Sequence, residues 1–204
     1  MNGKLALMIN YGLIDLASHH YESHGFKRIE SPWLVTPEIS DITKAPGLSS
    51  YIVRKDNEIK EKVFVASGEQ SFLYLVNKGF LPESGRFHTI TPCMRNDAFD
   101  ATHTKYFVKL ELIDFDSRNE IDAVTEINLM IQTALGFFKK HADSSKLAVE
   151  KTTNTEFPSW DILLDGIEIG SYGYRECLFC NWIYGTGIAE PRFSRLVQSN
   201  RKGK

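Results

Sequence analysis

The chain has 204 residues, 42% of them hydrophobic and 25% charged, with a formal net charge of −2. That length fits one domain with a sizeable core, and the near-neutral balance argues against coating of nucleic acid by bulk basicity. No apolar run is long enough to cross a bilayer and no basic leader precedes an apolar stretch, while the odd set Cys93, Cys177 and Cys180 fits a reducing compartment, so a cytoplasmic protein is expected.

In chain order, Leu5, Met8, Ile9, Leu13, Leu16 and Ala17 recur at helical spacing, predicting a helix over 4–24 that Gly25 ends. GFKRIESPWLVTPEI is β-branched and aromatic, a strand whose Pro32 places it at an edge or a strand start. DITKAPGLSS has loop chemistry. Residues 51–66 form two short strand-like runs around Asp56-Asn57, a hairpin. EQSFLYLVNKGF is a short helix closed by Gly79. RFHTITPCMRND and KYFVKLELIDFD are two strands, alternating with period two and joined by the loop around ATHT. Residues 119–140 form the longest helix, with Ile121, Val124, Ile127, Ile131, Leu135 and Phe138 on one face. HADSSKLAVEKTTNTEF is a polar insertion. SWDILLDGIEIGSYGYRE is a hairpin turning at Asp165-Gly166. A last strand ends at Gly185, and a helix starts near Pro191, a residue favoured in a first helical turn. This order predicts an α+β fold, an antiparallel β-sheet flanked by helices, in one domain over 1–204.

Four segments carry candidate chemistry. TPCMRND sets Arg95 two residues from Asp97, and His103, Phe107 and Glu111 follow on the loop and the returning strand. A strand arginine is suited to gripping phosphate through paired donors, and an aromatic beside it offers a face to a purine; the same Arg-Asp spacing also makes surface ion pairs. In IEIGSYGYRE, Glu168 and Ser171 supply hard oxygens of the kind Mg²⁺ takes alongside phosphate, and Arg175 is able to hold a carboxylate bidentately. A strand with a bulge is the other reading. In VASGEQSF, Glu69 or Gln70 faces an ammonium group, or the segment is a helix cap with acid in its first turn. In YGTGIAEPRFSRL, Gly185 and Gly187 leave room for a nucleotide against the backbone, and Arg192 stands in the first turn of a helix whose dipole favours anions.

Together and in this order, these segments resemble the catalytic core of class II aminoacyl-tRNA synthetases over nearly the whole chain. GFKRIESPWLVTPE, with Pro32, resembles the family's first motif, which builds a dimer interface. CMRND with His103 and Phe107 resembles the second, and GTGIAEPR the third. The resemblance implies ATP and Mg²⁺ as ligands. It implies that Arg95 holds the α-phosphate, that Phe107 stacks on adenine and that Arg192 contacts the γ-phosphate. The sequence departs from the pattern at Met94, Asp97, Tyr106 and Ala189, the last where a third glycine is expected. Glu168, Ser171 and Arg175 are similar to the metal and side-chain ligands of the aspartyl and asparaginyl enzymes and of asparagine synthetase A.

The resemblance therefore implies a ligase that forms an aminoacyl-adenylate from an Asp/Asn-like amino acid and passes it to a small or protein acceptor. Arg95 and Arg192 are the implied catalytic residues, and Glu69, Gln70, Glu111 and Arg175 the implied amino-acid ligands. A homodimer is expected, with no membrane association and no anticodon-binding domain. Two other readings stay open: a non-catalytic amino-acid or nucleotide-binding regulator, and a tRNA-charging core working with a separate RNA-binding chain. Cys177-x-x-Cys180 is read as a metal-free pair, and His20 with His24 as a solvated helix face.

Overall fold

A computed structural model of the chain describes residues 8–44, 47–54, 61–96, 104–116, 120–153 and 155–202. In order, the elements are α1 (Tyr11–Glu22), β1 (Lys27–Arg28), β2 (Leu34–Val35), α2 (Pro37–Thr43), β3 (Ile52–Val53), β4 (Lys62–Phe64), α3 (Gly68–Asn77), β5 (Arg86–Met94) and β6 (Tyr106–Asp114). Then come α4 (Glu120–His141), a 3-10 turn (Ser144–Lys146), β7 (Leu147–Lys151), β8 (Ser159–Leu164), β9 (Ile167–Glu176), β10 (Asn181–Glu190) and α5 (Arg192–Lys202). Among the described residues, seven strands form one sheet in the order β1-β5-β6-β10-β9-β8-β7, antiparallel except for β1 beside β5. A small antiparallel sheet has the order β2-β4-β3. The expected α+β class, an antiparallel sheet flanked by helices, is the fold observed.

The apolar pattern explains the layering. The i, i+3, i+4 stripe of α4 (Ile127, Ile131, Ala134, Phe138) and the buried Ile14, Ala17 and Tyr21 of α1 press on one sheet face. There they meet Leu110 and Leu112 of β6, Tyr172 of β9, and Ile183 and Ile188 of β10. The second core lies on the opposite face, where Phe72, Leu73 and Val76 of α3 and Val35 and Val63 of the small sheet cover Ile113 and Trp182. That second layer covers only part of its face. The uncovered part, floored by β6, β9 and β10, holds the site.

Several boundaries differ from expectation, each for a local reason. The strand expected over 25–39 breaks into β1, β2 and the helix α2. Thr36 is extended and Pro37 takes the first helical position, so a helix begins where strand chemistry was read, and it takes in part of the expected loop. β1 is an edge strand of the large sheet, and Pro32 lies between β1 and β2, in neither strand. The first helix begins at Tyr11, where Asn10 accepts from the Leu13 amide at 3.1 Å. The polar insertion contains β7, an outer strand paired with β8; its residues are mostly exposed, which is why their composition reads as a loop. The Asp165-Gly166 turn has φ of 55° and 76° and joins β8 to β9 as expected. The hairpin of β3 and β4 also forms, while Asp56-Asn57 lies outside the described residues.

β10 does not end at Gly185 but runs on to Glu190. Its register against β6 shifts between Thr186 and Ile188. That bulge breaks strict alternation. Ile188 turns into the helix-side core, and Ala189 borders the cavity on the other face.

Candidate active site

A cavity of about 230 Å³ lies on the uncovered sheet face. Phe107 and Lys109 reach it from β6, and Glu168, Ser171 and Arg175 from β9. Tyr184, Thr186 and Ala189 form its floor from β10, and Arg192 and Arg195 close one end from the start of α5.

Glu69 enters from the first turn of α3. A Cβ on the preceding Gly68 would stand 2.8 Å from Thr91 Oγ1 and 2.9 Å from Glu111 Cβ, so only glycine lets the helix start press onto the sheet. Once there, Glu69 is buried. Its Oε2 accepts from Arg175 Nη1 at 2.8 Å and its Oε1 from Trp182 Nε1 at 2.6 Å. Burial pushes the Glu69 carboxyl pKa up, and Arg175 beside it pulls it back. The Arg175 guanidinium lies over the Tyr184 ring, 4.3 Å from its centroid.

Arg95 is placed by β5. Its Nε donates to the Ala66 carbonyl at 3.0 Å, and its guanidinium stands 5.1 Å from the centroid of Phe107. Arg192 Nη1 lies 3.4 Å from Glu168 Oε1 and 3.4 Å from the Glu168 carbonyl oxygen. Ser171 faces the same space three residues beyond Glu168, and Asp161 of β8 sits in register with Ser171. Burial raises the Asp161 carboxyl pKa, and Ser171 lowers it by hydrogen bonding. Glu168 and Ser171 are hard oxygen donors at the cavity wall and fit Mg²⁺ completed by phosphate and water. Among the described residues no group of three or more His, Cys, Asp or Glu side chains forms a ligand set.

The structure therefore brings together Glu69, Arg95, Phe107, Glu168, Ser171, Arg175 and Arg192. It places the other expected residues differently. Glu111 is fully buried beneath the wall, where it accepts from Ser67 Oγ and pairs with Lys109 Nζ at 2.7 Å. It orients Lys109 instead of lining the cavity. Gln70 is held at both ends of its amide: Oε1 accepts from the Ala66 amide at 2.8 Å, and Nε2 donates to the Ser40 carbonyl at 2.9 Å. It borders a neighbouring recess of about 200 Å³ that shares Arg95 and Arg175 with the main cavity. Asp97 and His103 lie outside the described residues.

Gly185 and Gly187 also differ. A Cβ on Gly185 would stand 2.4 Å from Met130 Sδ and 2.7 Å from Tyr172 Cδ1, and one on Gly187 2.4 Å from Leu110 Cδ2 and 2.7 Å from Tyr21 Cε2. These are core side chains on the helix-covered face. The glycines admit the helix-side core against β10, and it is Ala189 that meets the cavity.

Sequence reasoning missed Lys109, Tyr184, Thr186 and Arg195. The signals were present: Lys109 shares a strand face with Phe107 at i+2, and Arg195 shares a helix face with Arg192 at i+3. Outside the cavity, Cys177 and Cys180 join β9 to β10 with their sulfurs 3.9 Å apart. His20 and His24 stack with ring centroids 4.4 Å apart. His20 is not a solvated side chain: it packs on Phe137 and bonds the Thr133 carbonyl oxygen at 2.8 Å.

No protein-family model and no curated protein sequence matches this chain. Solved structures do. PylSc, a pyrrolysyl-tRNA synthetase of Desulfitobacterium hafniense, is 14% identical with a TM-score of 0.67, over 95% of this chain and 69% of that one. The cytoplasmic serine-tRNA ligase of Naegleria fowleri, in complex with AMP, is 17% identical with a TM-score of 0.71, over 92% of this chain and 52% of that one. The seryl-tRNA synthetase of Pyrococcus horikoshii, complexed with ATP, is 14% identical with a TM-score of 0.68, over 92% of this chain and 49% of that one. The chain thus spans about half the length of the seryl enzymes it matches. Over 92–95% of its length the chain has a class II aminoacyl-tRNA synthetase-like fold.

Proposed function

We propose that this chain activates an amino acid with ATP, forming an aminoacyl-adenylate and pyrophosphate. The observation that carries this reading is the meeting, in one cavity, of Arg95 and Phe107 at one part, Arg192 at another, and the Glu69–Arg175 pair between strand and helix. An amino-acid carboxylate oxygen attacks the α-phosphorus, the bond to the bridging oxygen breaks, and pyrophosphate leaves with the electron pair. Protein groups need only position the reactants and offset the developing charge. In this reading Arg95 takes the α-phosphate, Phe107 the adenine face and Arg192 the terminal phosphate. Glu168 and Ser171 would hold Mg²⁺, which supplies neutralisation of the phosphate oxygens when bound.

The proposal extends to an Asp/Asn-like substrate, and within that pair to the neutral side chain. Arg175 is already neutralised by buried Glu69 at 2.8 Å. A carboxamide accepts from Arg175 and donates to Glu69, satisfying both, whereas an incoming carboxylate would stand beside a buried like charge. The acyl acceptor in this reading is an amine on a small molecule or a protein. A homodimer through the Pro32 segment belongs to the same proposal, supported by β1 at the edge of the large sheet and by the exposed Trp33 that follows Pro32.

The test is amino-acid-dependent exchange of labelled pyrophosphate into ATP, run with each amino acid in turn. Exchange with asparagine, lost in Arg95→Ala, is the expected result. Tight binding of nucleotide or amino acid without exchange would assign the chain to the regulatory reading. Acylation of tRNA only when a second RNA-binding chain is added would assign it to the tRNA-charging one.

A further inference from the structure

Five basic side chains border the cavity, and their partners divide them. Arg175 is paired with Glu69 at 2.8 Å, Lys109 with Glu111 at 2.7 Å, and Arg192 with Glu168 at 3.4 Å. Among the described residues, neither Arg95 nor Arg195 makes an ion pair. Arg95 is anchored by Ala66 and Phe107 at one part of the cavity, where the ATP reading gives it the α-phosphate. Arg195 stands with Arg192 at the other, one helical turn further along α5, with its side chain half-buried against the cavity. One first-turn amide of α5 is already engaged. The Ser194 amide and hydroxyl both donate to Glu190 Oε1, at 3.1 and 2.9 Å, so a fully buried carboxylate already caps the helix. An anion arriving here meets the guanidinium groups of Arg192 and Arg195, and the Glu168 carboxylate offsets the first of them.

We propose that Arg195 is a pyrophosphate-binding residue. It holds the β- and γ-phosphates of ATP and keeps its grip on pyrophosphate as the bond between the α-phosphorus and the bridging oxygen breaks. A planar guanidinium is suited to this because two of its N–H groups meet two oxygens of one phosphate. The inference rests on the ATP reading above, and its test separates the two.

AMP and magnesium pyrophosphate are titrated separately into the wild-type chain, Arg195→Ala and Arg195→Lys by calorimetry, with circular dichroism to confirm that each variant is folded. Arg195→Ala should bind AMP as the wild type does while its pyrophosphate affinity falls by about tenfold or more. Arg195→Lys should recover part of that loss, since lysine keeps the charge without the fork. In exchange assays the KM for pyrophosphate should rise with the KM for amino acid unchanged. Undiminished pyrophosphate binding by Arg195→Ala overturns the proposal and leaves the ATP reading standing. Equal losses of AMP and pyrophosphate overturn it too, because they would mark a general disturbance of the cavity. A wild-type chain that binds neither ligand refutes both.

Discussion

Replacing Gly187 by alanine should damage the fold before it damages any nucleotide site. The added methyl would lie 2.4 Å from Leu110 Cδ2, 2.7 Å from Tyr21 Cε2 and 3.2 Å from the Leu110 carbonyl oxygen. Leu110 and Tyr21 are both fully buried, so neither has open space to move into. Overpacking of this kind costs about 1–3 kcal/mol. Tyr21 Oη donates to the Gly187 carbonyl at 2.9 Å, and pushing the ring away weakens that buried bond by about 1 kcal/mol more. The sum, roughly 2–4 kcal/mol, corresponds to a fall in Tm of roughly 5–15 °C for a chain this long. The assay is thermal unfolding by circular dichroism, paired with AMP titration well below both midpoints. Ala189→Gly is the contrast. It sits on the cavity side of the bulge, should cost only about 0.5–1 kcal/mol of stability, and should change AMP affinity. An unchanged Tm for Gly187→Ala together with a large loss of AMP binding would refute the assignment of this glycine to the core.

The remaining predictions concern charge. His88 is fully buried, with Nε2 bonded to Ser18 Oγ at 2.9 Å, and burial lowers its pKa from the ordinary 6.5 to about 4. Because the folded value is the lower one, the stabilisation is present above pH 6.5 and is lost as pH falls towards 4; at about 1.36 kcal/mol per pH unit this is roughly 3 kcal/mol. Urea unfolding at several pH values should show His88→Gln losing less stability than the wild type across that window, and parallel curves would contradict the assignment. Glu69→Gln removes the charge that neutralises Arg175, so relative KM values should move towards aspartate and away from asparagine by roughly tenfold or more. An unchanged ratio would show that Glu69 does not read the substrate side chain.

How legible this molecule was in its sequence depended on the range of the signal. The β5–β6 and β8–β9 hairpins and α4 announce themselves locally, through period-two alternation, the Asp165-Gly166 turn and the apolar stripe of Ile127, Ile131 and Phe138. β1 and β2 have two residues each, too short for a period to register, and Pro37 reads equally as loop or helix start. In the site, Arg95, Phe107 and Arg192 were found by pattern. The pairing of Glu69 with Arg175 joins residues 106 positions apart, and no local pattern reports it. The role of Ala189 turned on one bulge, since a single extra residue exchanges the faces of everything after it.

The product proposed for the cavity is an aminoacyl-adenylate. Its most direct measurement is chromatographic detection of that product from ATP labelled at the α-phosphate, with asparagine, Mg²⁺ and pyrophosphatase present. An asparagine-dependent adenylate is expected from the wild-type chain and none from Arg95→Ala. A folded wild-type chain that binds ATP yet forms no adenylate with any amino acid would contradict it.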